Sequence, residues 1–238
     1  AGGWHRHALK GRYAKPMILA FDTCLGSCSV AAGDAQDMRA CRYREMRRGH
    51  AEALMPMIAE TLEAAGLAPA EVDRIAVVCG PGSFTGIRVG IAAARGLALA
   101  LAVPAAAVTS LELLAAAAAA RYPGTPVLAA IAARGERLYH QPFDDRGHPE
   151  ASPALSEMTQ AAKHYEGRRG VAIGSGAGDM AARLAGLDSI AETDAPPAAL
   201  LLALAARLDS ARWTGRPSPL YLRPPDARLP AGLPAGAA

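Results

Sequence analysis

The chain has 238 residues, a formal charge of +3, and 51% hydrophobic residues, with aromatics only 5%. That length suits one large domain or two small ones with a core of useful size. Four cations without a neighbouring acid (Arg6, Lys10, Arg12, Lys15) fall in residues 1–16, so the remainder is nearly neutral and gives no global electrostatic reason to bind nucleic acid. Residues 1–16 show no hydrophobic period and read as a tag or other non-native extension; a basic targeting or RNA-binding arm is the lesser reading. Cys24, Cys28, Cys41 and Cys79 form no C-x-x-C pair and follow no secretory signal, so they read as reduced, buried thiols of a cytoplasmic protein. The C-x-x-x-C at 24 and 28 lacks a second ligand pair, and no metal site is expected. No membrane span is expected either, because the most apolar stretch, 96–120, is interrupted by Pro104, Thr109, Ser110 and Glu112.

Hydrophobic periodicity then predicts strands at 17–22, 27–32 and 38–44, a helix at 50–65, a strand at 74–79 and a helix at 86–102. A strand at 106–109 and a helix at 110–121 follow. Strands at 126–132 and 136–143 form a hairpin turning at Arg134-Gly135. A helix at 156–164, a strand at 171–174, a helix at 179–186 and a helix at 196–212 complete the pattern. The last opens on Pro196-Pro197, suited to a first helical turn. The tail, 224–238, is rich in Pro, Ala and Gly and is expected to be disordered.

Strand, glycine turn and helix occur at 75–90 and again at 171–185. The expectation is an α/β fold of duplicated mixed-sheet domains, the second reduced, on the plan shared by actin, sugar kinases and heat-shock chaperone ATPases (ASKHA). The domains are expected at 17–109, carrying the partner-binding helices, and 110–223.

The run Gly80-Pro81-Gly82-Ser83-Phe84-Thr85-Gly86-Ile87-Arg88-Val89-Gly90 spans the first of these junctions. Glycines around a proline favour a tight turn, and Ser83 and Thr85 can accept from free first-turn amides. Its G-x-G-x-x-x-G spacing fits neither the dinucleotide fingerprint nor a P-loop, so a structural turn is the default and an anion cradle the alternative. Beyond it Gly86, Gly90, Ala94, Ala98 and Ala102 recur every fourth residue, a stripe that would let a second helix approach closely. The preceding helix sets Leu54, Ile58, Leu62 and Ala65 on one face, with Met55, Met57 and Thr61 beside it. Pro56 is expected to kink it or sit near its start, and Gly66 to stop it. Two such helices offer one apolar face for a sheet and one for a partner chain.

Asp22 ends the first strand where sugar kinases and actin place an acid facing phosphate and magnesium; a strand-end cap is the equal alternative. With Thr23, Ser83, Gly174 and Gly176 it makes the candidate nucleotide- or phosphate-facing set, although glycines at 174–178 also permit a tight helix entry. Arg39, Arg42 and Arg44 read as charges on an edge strand, while Arg47 and Arg48 are candidates for a partner's acids or for nucleic-acid phosphates.

Several segments together resemble the TsaB family, bacterial accessory proteins in making threonylcarbamoyladenosine in tRNA. They are Ile18-Leu19-Ala20-Phe21-Asp22-Thr23, Arg48-Gly49-His50-Ala51-Glu52-Ala53-Leu54-Met55-Pro56, the run Gly80–Gly90, Thr109-Ser110-Leu111-Glu112, Ala133-Arg134 before Glu136 and Tyr139, and Pro219-Leu220-Tyr221-Leu222-Arg223. The resemblance covers 17–226. It implies a non-catalytic subunit that pairs through helices 50–65 and 86–102 with a paralogous catalytic subunit, TsaD. An ATPase, TsaE, would join the assembly, which acts on adenosine 37 of tRNAs reading ANN codons. A homodimer through the same surface is implied when the partner is absent. The implied interface is His50, Leu54, Met57, Ile58, Thr61, Gly86, Arg88, Gly90 and Ala94, with Arg88 the leading candidate for a structural or interface ion pair. No catalytic residue and no autonomous cofactor are expected, ATP and Mg entering through the partners. The H-x-x-x-H metal pair of the catalytic paralogue is missing, since the residue four after His50 is Leu54; and Ala132 stands where many relatives carry an acid. A stand-alone ASKHA-type kinase or ATPase is the alternative.

Overall fold

The computed structural model describes residues 15–190, 198–213 and 216–222. Most of the segment 1–16, the Pro196-Pro197 pair and the tail 224–238 lie outside the described residues.

Three antiparallel strands open the fold: β1 (Ile18–Asp22), β2 (Ser27–Gly33) and β3 (Met38–Glu45). Helix α1 (His50–Ala64) returns the chain to β4 (Arg74–Val78), parallel to β1, and α2 (Phe84–Leu101) leads to β5 (Ala105–Val108), parallel to β4. The sheet order is β3-β2-β1-β4-β5. Every residue of β1 and β2 is buried, so these strands are covered on both faces. The helices α1 and α2 lie side by side over the sheet, α1 across β2 and β3 and α2 across β4.

Helix α3 (Ser110–Arg121) then starts a second round: β6 (Val127–Ala133), β7 (Arg137–Phe143), β8 (Ala154–Glu157), α4 (Met158–His164), β9 (Gly170–Ile173), α5 (Ala177–Arg183) and β10 (Leu187–Ile190). The second sheet runs β10-β9-β6-β7-β8, the same topology read from its other edge. The alternation of β6 shows how it is packed. Val127, Ala129 and Ile131 join Leu111 and Leu114 of α3, while Leu128 and Ala130 join Met158 and Ala161 of α4 and Met180 of α5. The duplicated mixed-sheet plan expected from the sequence is thus present.

The first sheet's core reaches past residue 109. Leu113 of α3 sits in the first sheet's core, although its neighbours Leu111 and Leu114 face the second. Helix α6 (Ala198–Ala205) returns to the first sheet, and Leu201 and Leu202 pack there with Trp213. The helix expected over 196–212 ends at Ala205; a turn and a short 3-10 segment, Ser210–Trp213, follow. The strands β8 and β10 were not foreseen. They are four-residue edge strands, and Ser156 and Glu157 pair with Leu138 and Arg137 where a helix start was expected.

Candidate functional site

Residues of the glycine run and of β1 meet at the end of the first sheet. Ser83 caps α2, its Oγ accepting from the Gly86 amide at 3.3 Å. The Ser83 amide donates to the Cys24 carbonyl at 2.9 Å, and the Thr23 hydroxyl donates to the Gly86 carbonyl at 2.8 Å. A Cβ on Gly86 would lie 1.9 Å from the Thr23 carbonyl oxygen, and one on Gly90 2.7 Å from Thr23 Oγ1. At Gly86 and Gly90 the stripe of small residues therefore admits the chain's own β1–β2 loop.

The residues of the implied interface mostly face inward. His50, Leu54, Met57, Ile58 and Thr61 on α1, and Gly86, Gly90 and Ala94 on α2, are all buried within the chain itself. Thr61 closes its hydroxyl on the Met57 carbonyl at 2.7 Å. These are sheet-facing positions, because in each helix the apolar positions of the first core share one stripe. Of the nine, only Arg88 is exposed, and it is engaged in cis: its guanidinium lies 3.8 Å from the Phe84 ring centroid and donates to the Tyr221 hydroxyl at 3.2 Å. Among the described residues it has no acidic partner, so the expected ion pair gives way to an aromatic clasp.

The second face expected of these helices lies on the opposite side, at residues outside the implied set of nine. Met55 is 47% exposed, Phe84 54% and Leu99 85%. Around them α1 exposes Ala51, Pro56 and Ala59 among Glu52, Glu60 and Glu63, and α2 exposes Ala92 and Gly96 among Arg88 and Arg95. Helix α1 runs unbroken through Pro56, whose ring is on this outer side. Over its 18 residues α2 has a mean hydropathy of 1.4, long and apolar enough to cross a membrane by length and composition, a window the test of 96–120 missed. Here it lies on a sheet and is strapped by residues 216–222, Arg95 Nε donating to the Pro217 carbonyl at 2.7 Å. Only 28% of it is buried, which leaves an apolar outer side. A signal existed: Phe84, Leu99 and Met55 fall off the stripes that the sheet needs.

Asp22 and Thr23 are both turned inward and fully buried. Asp22 is fully buried, its Oδ1 accepting the Cys24 amide at 2.8 Å while its Oδ2 has no partner among the described residues. Burial pushes its carboxyl up to about 6, only partly opposed by the Cys24 and Thr23 hydrogen bonds. Gly174 and Gly176 are also packing positions: a Cβ would lie 2.4 Å from the Ala130 carbonyl oxygen and 2.2 Å from Leu138 Cδ1, respectively. The polar group that faces outward there is Ser175, which the sequence reading passed over; its Oγ accepts from the Ala132 amide at 3.0 Å.

Ser175 borders a cleft of about 380 Å³ between the two sheets, lined also by Arg47, His50, Ser83, Leu25 and Ile131. His50 is 5% exposed, and its Nε2 has no partner among the described residues. Asp22 does not line this space. Arg39, Arg42 and Arg44 lie exposed on the open edge strand β3, as expected of charges that discourage edge pairing.

Comparison with known proteins agrees with this layout. The profile of the family described as "TsaD: tRNA N6-adenosine threonylcarbamoyltransferase" matches residues 44–197. The tRNA threonylcarbamoyladenosine biosynthesis protein TsaB of Escherichia coli is 32% identical over 142 residues, 58% of this chain and 61% of that protein. The Haemophilus influenzae TsaB is 38% identical over 125 residues, so the chain spans about half the length of that relative. An uncharacterised Mycobacterium tuberculosis protein is 31% identical over 89% of this chain and 93% of its own. YeaZ from Pseudomonas aeruginosa superposes with a TM-score of 0.74 at 30% identity, covering 87% of this chain and 99% of that one. The chain belongs to the TsaD family of the profile and, within it, to its TsaB (YeaZ) branch.

Proposed function

We propose that this chain is a non-catalytic subunit needed for threonylcarbamoylation of adenosine 37 in tRNAs reading ANN codons. It pairs through the outer faces of α1 and α2 with a TsaD-like catalytic subunit and helps to recruit a TsaE-like ATPase. Contact with tRNA, and any ATP and Mg, come through that assembly, and the same face forms a homodimer when the partner is absent. The observation that carries this reading is the exposure of the large apolar side chains Phe84 and Leu99 on α2 and Met55 on the adjoining α1. Exposed apolar area of this kind on a packed helix pair marks an interaction surface. The shared family profile supports a paralogous partner, since related folds present matching helix pairs. Free Cys24, Cys28, Cys41 and Cys79 suit a reducing compartment.

A stand-alone kinase draws little support from the cleft. Asp22, the acid such a reading needs, is turned into the core and held by the Cys24 amide. The test is titration of the purified chain with a TsaD-like subunit by calorimetry. Leu99→Glu is expected to weaken pairing at least about tenfold, with an unchanged melting curve because Leu99 touches solvent. Equal affinity of the variant and the parent chain contradicts the assigned face.

A further inference from the structure

We propose that the open edge of the first sheet, from Arg39 to Arg48, is an RNA-binding stripe that holds phosphates on its arginines and a base against Tyr43. Residues 38–49 carry five arginines and a single acid, Glu45, in a chain whose formal charge is only +3. All five arginines are exposed, and none forms a salt bridge among the described residues. At the turn before them Asp34 is already engaged, its Oδ1 accepting the Gln36 and Asp37 amides. Strand β3 pairs with β2 alone, so no strand covers its outer edge. Charges on such an edge discourage pairing, but Arg47 and Arg48 lie beyond the strand, where that role does not reach.

The strand register sets the geometry. Arg42 stands opposite Val30 and Arg44 opposite Cys28, so both lie on one face of the sheet, about 7 Å apart. From Arg39 to Arg44 the row runs about 17 Å at about 3.4 Å per residue, and Arg47 and Arg48 lengthen it. A row of that length fits an extended polyanion, not one small anion. Each guanidinium offers paired N–H groups to phosphate oxygens; Arg42 gives one to the Cys41 carbonyl at 3.2 Å and keeps the rest. Tyr43, between the two on the other face, is 51% exposed, and its ring stacks on no other among the described residues. An exposed ring beside phosphate-binding arginines is a platform for an unpaired base, which an acidic polypeptide does not have. That favours a nucleic acid over an acidic protein. The choice of RNA rests on the function proposed above; the stripe itself lies apart from the outer helix face.

The test titrates a fluorescently labelled tRNA transcript bearing adenosine 37 with the full chain, without any partner, and reads anisotropy over a series of salt concentrations. Arg42→Gln combined with Arg44→Gln is expected to bind about tenfold more weakly and to lower the slope of log affinity against log salt by about two, at an unchanged melting temperature. Arg134→Gln combined with Arg146→Gln makes the same charge change at exposed positions of the second half and should stay within about twofold of the parent. Tyr43→Ala is expected to weaken binding about fivefold with the salt slope kept. Arginine or tyrosine variants that bind as the control does overturn the proposal. So does displacement of the RNA by poly-glutamate as readily as by unlabelled RNA, which would assign the stripe to an acidic protein. Because no partner is present, either result leaves the helix-face reading standing, and calorimetry with the catalytic subunit tests that reading separately.

Discussion

The first sheet carries helices of 15 and 18 residues where the second carries two of 7 on the same topology. The junction between β-strand and helix is kept in both. Ser83 donates to the Cys24 carbonyl at 2.9 Å in one, and Gly176 to the Ala130 carbonyl at 3.0 Å in the other. What differs is reach. At about 1.5 Å per residue, a seven-residue helix spans about two turns and exposes mostly polar residues, whereas α2 spans five turns and exposes Phe84 and Leu99. Repetition has therefore preserved the junctions, and the two halves differ in the outer helix surface of the first half, the one assigned to a partner in the proposed function.

Substitutions at the two junction helices should break this comparison most sharply. Gly86→Ala places a methyl against the Thr23 carbonyl, and a loss of about 3 kcal/mol or more is expected. Gly178→Ala in α5 meets nothing within 4 Å and should stabilise by about 0.5–1 kcal/mol. Urea denaturation measures both; equal effects would mean that the first junction is no tighter than its surroundings.

The halves also respond oppositely to pH. Asp22 has a folded pKa raised by burial to about 6, so the folded state keeps a proton that the unfolded chain releases. Its contribution is fully present below the unfolded value and lost as pH rises through about 6, a change of about 2–3 kcal/mol. Asp22→Asn should lack that slope, so its stability relative to the parent rises between pH 4 and pH 7.5; parallel curves would argue against a buried, titrating Asp22. In the second sheet, His140 is held by the Tyr165 hydroxyl at 2.8 Å and Ser156 Oγ at 2.7 Å. Burial lowers its pKa, with His164 adding to the effect, so its contribution is present above the ordinary histidine range and lost on acidification. An NMR titration of the imidazole should find its midpoint below that of a free histidine; a raised midpoint contradicts the assignment.

The smallest effect is expected where the two halves are tied. Arg212 pairs with Glu112 at 2.8 Å, and Glu112 also accepts the Thr109 amide at 2.7 Å in a capping box. Glu112→Gln should cost only about 0.5–1 kcal/mol in urea denaturation, because the pair is partly exposed. A loss above about 2 kcal/mol would show that the link between the sheets is stronger than a surface contact.

Much of the fold could be read from the residues themselves. The alternation and apolar runs at 17–44 and 74–109 place the first sheet and its helices to within two residues or so. The edge strands β8 and β10 escaped because Ala154-Leu155-Ser156-Glu157 and Leu187-Asp188-Ser189-Ile190 are short and half exposed, and pairing comes from neighbours distant in sequence. The site was legible only in part. The small-residue stripe at Gly86 and Gly90 marks a close approach, but periodicity cannot say whether a loop of the same chain or a partner helix approaches. Ser175, between two glycines that serve packing, had no sequence signal beyond its neighbours.

The central claim is that the chain works as a partner through its first-half helices. It is tested most directly by reconstituting tRNA modification from purified components with and without this chain, on a tRNA bearing adenosine 37. Modified nucleoside that forms only when the chain is present, with none from the chain alone and less with Leu99→Glu, is the predicted result. Equal yield without the chain would contradict it.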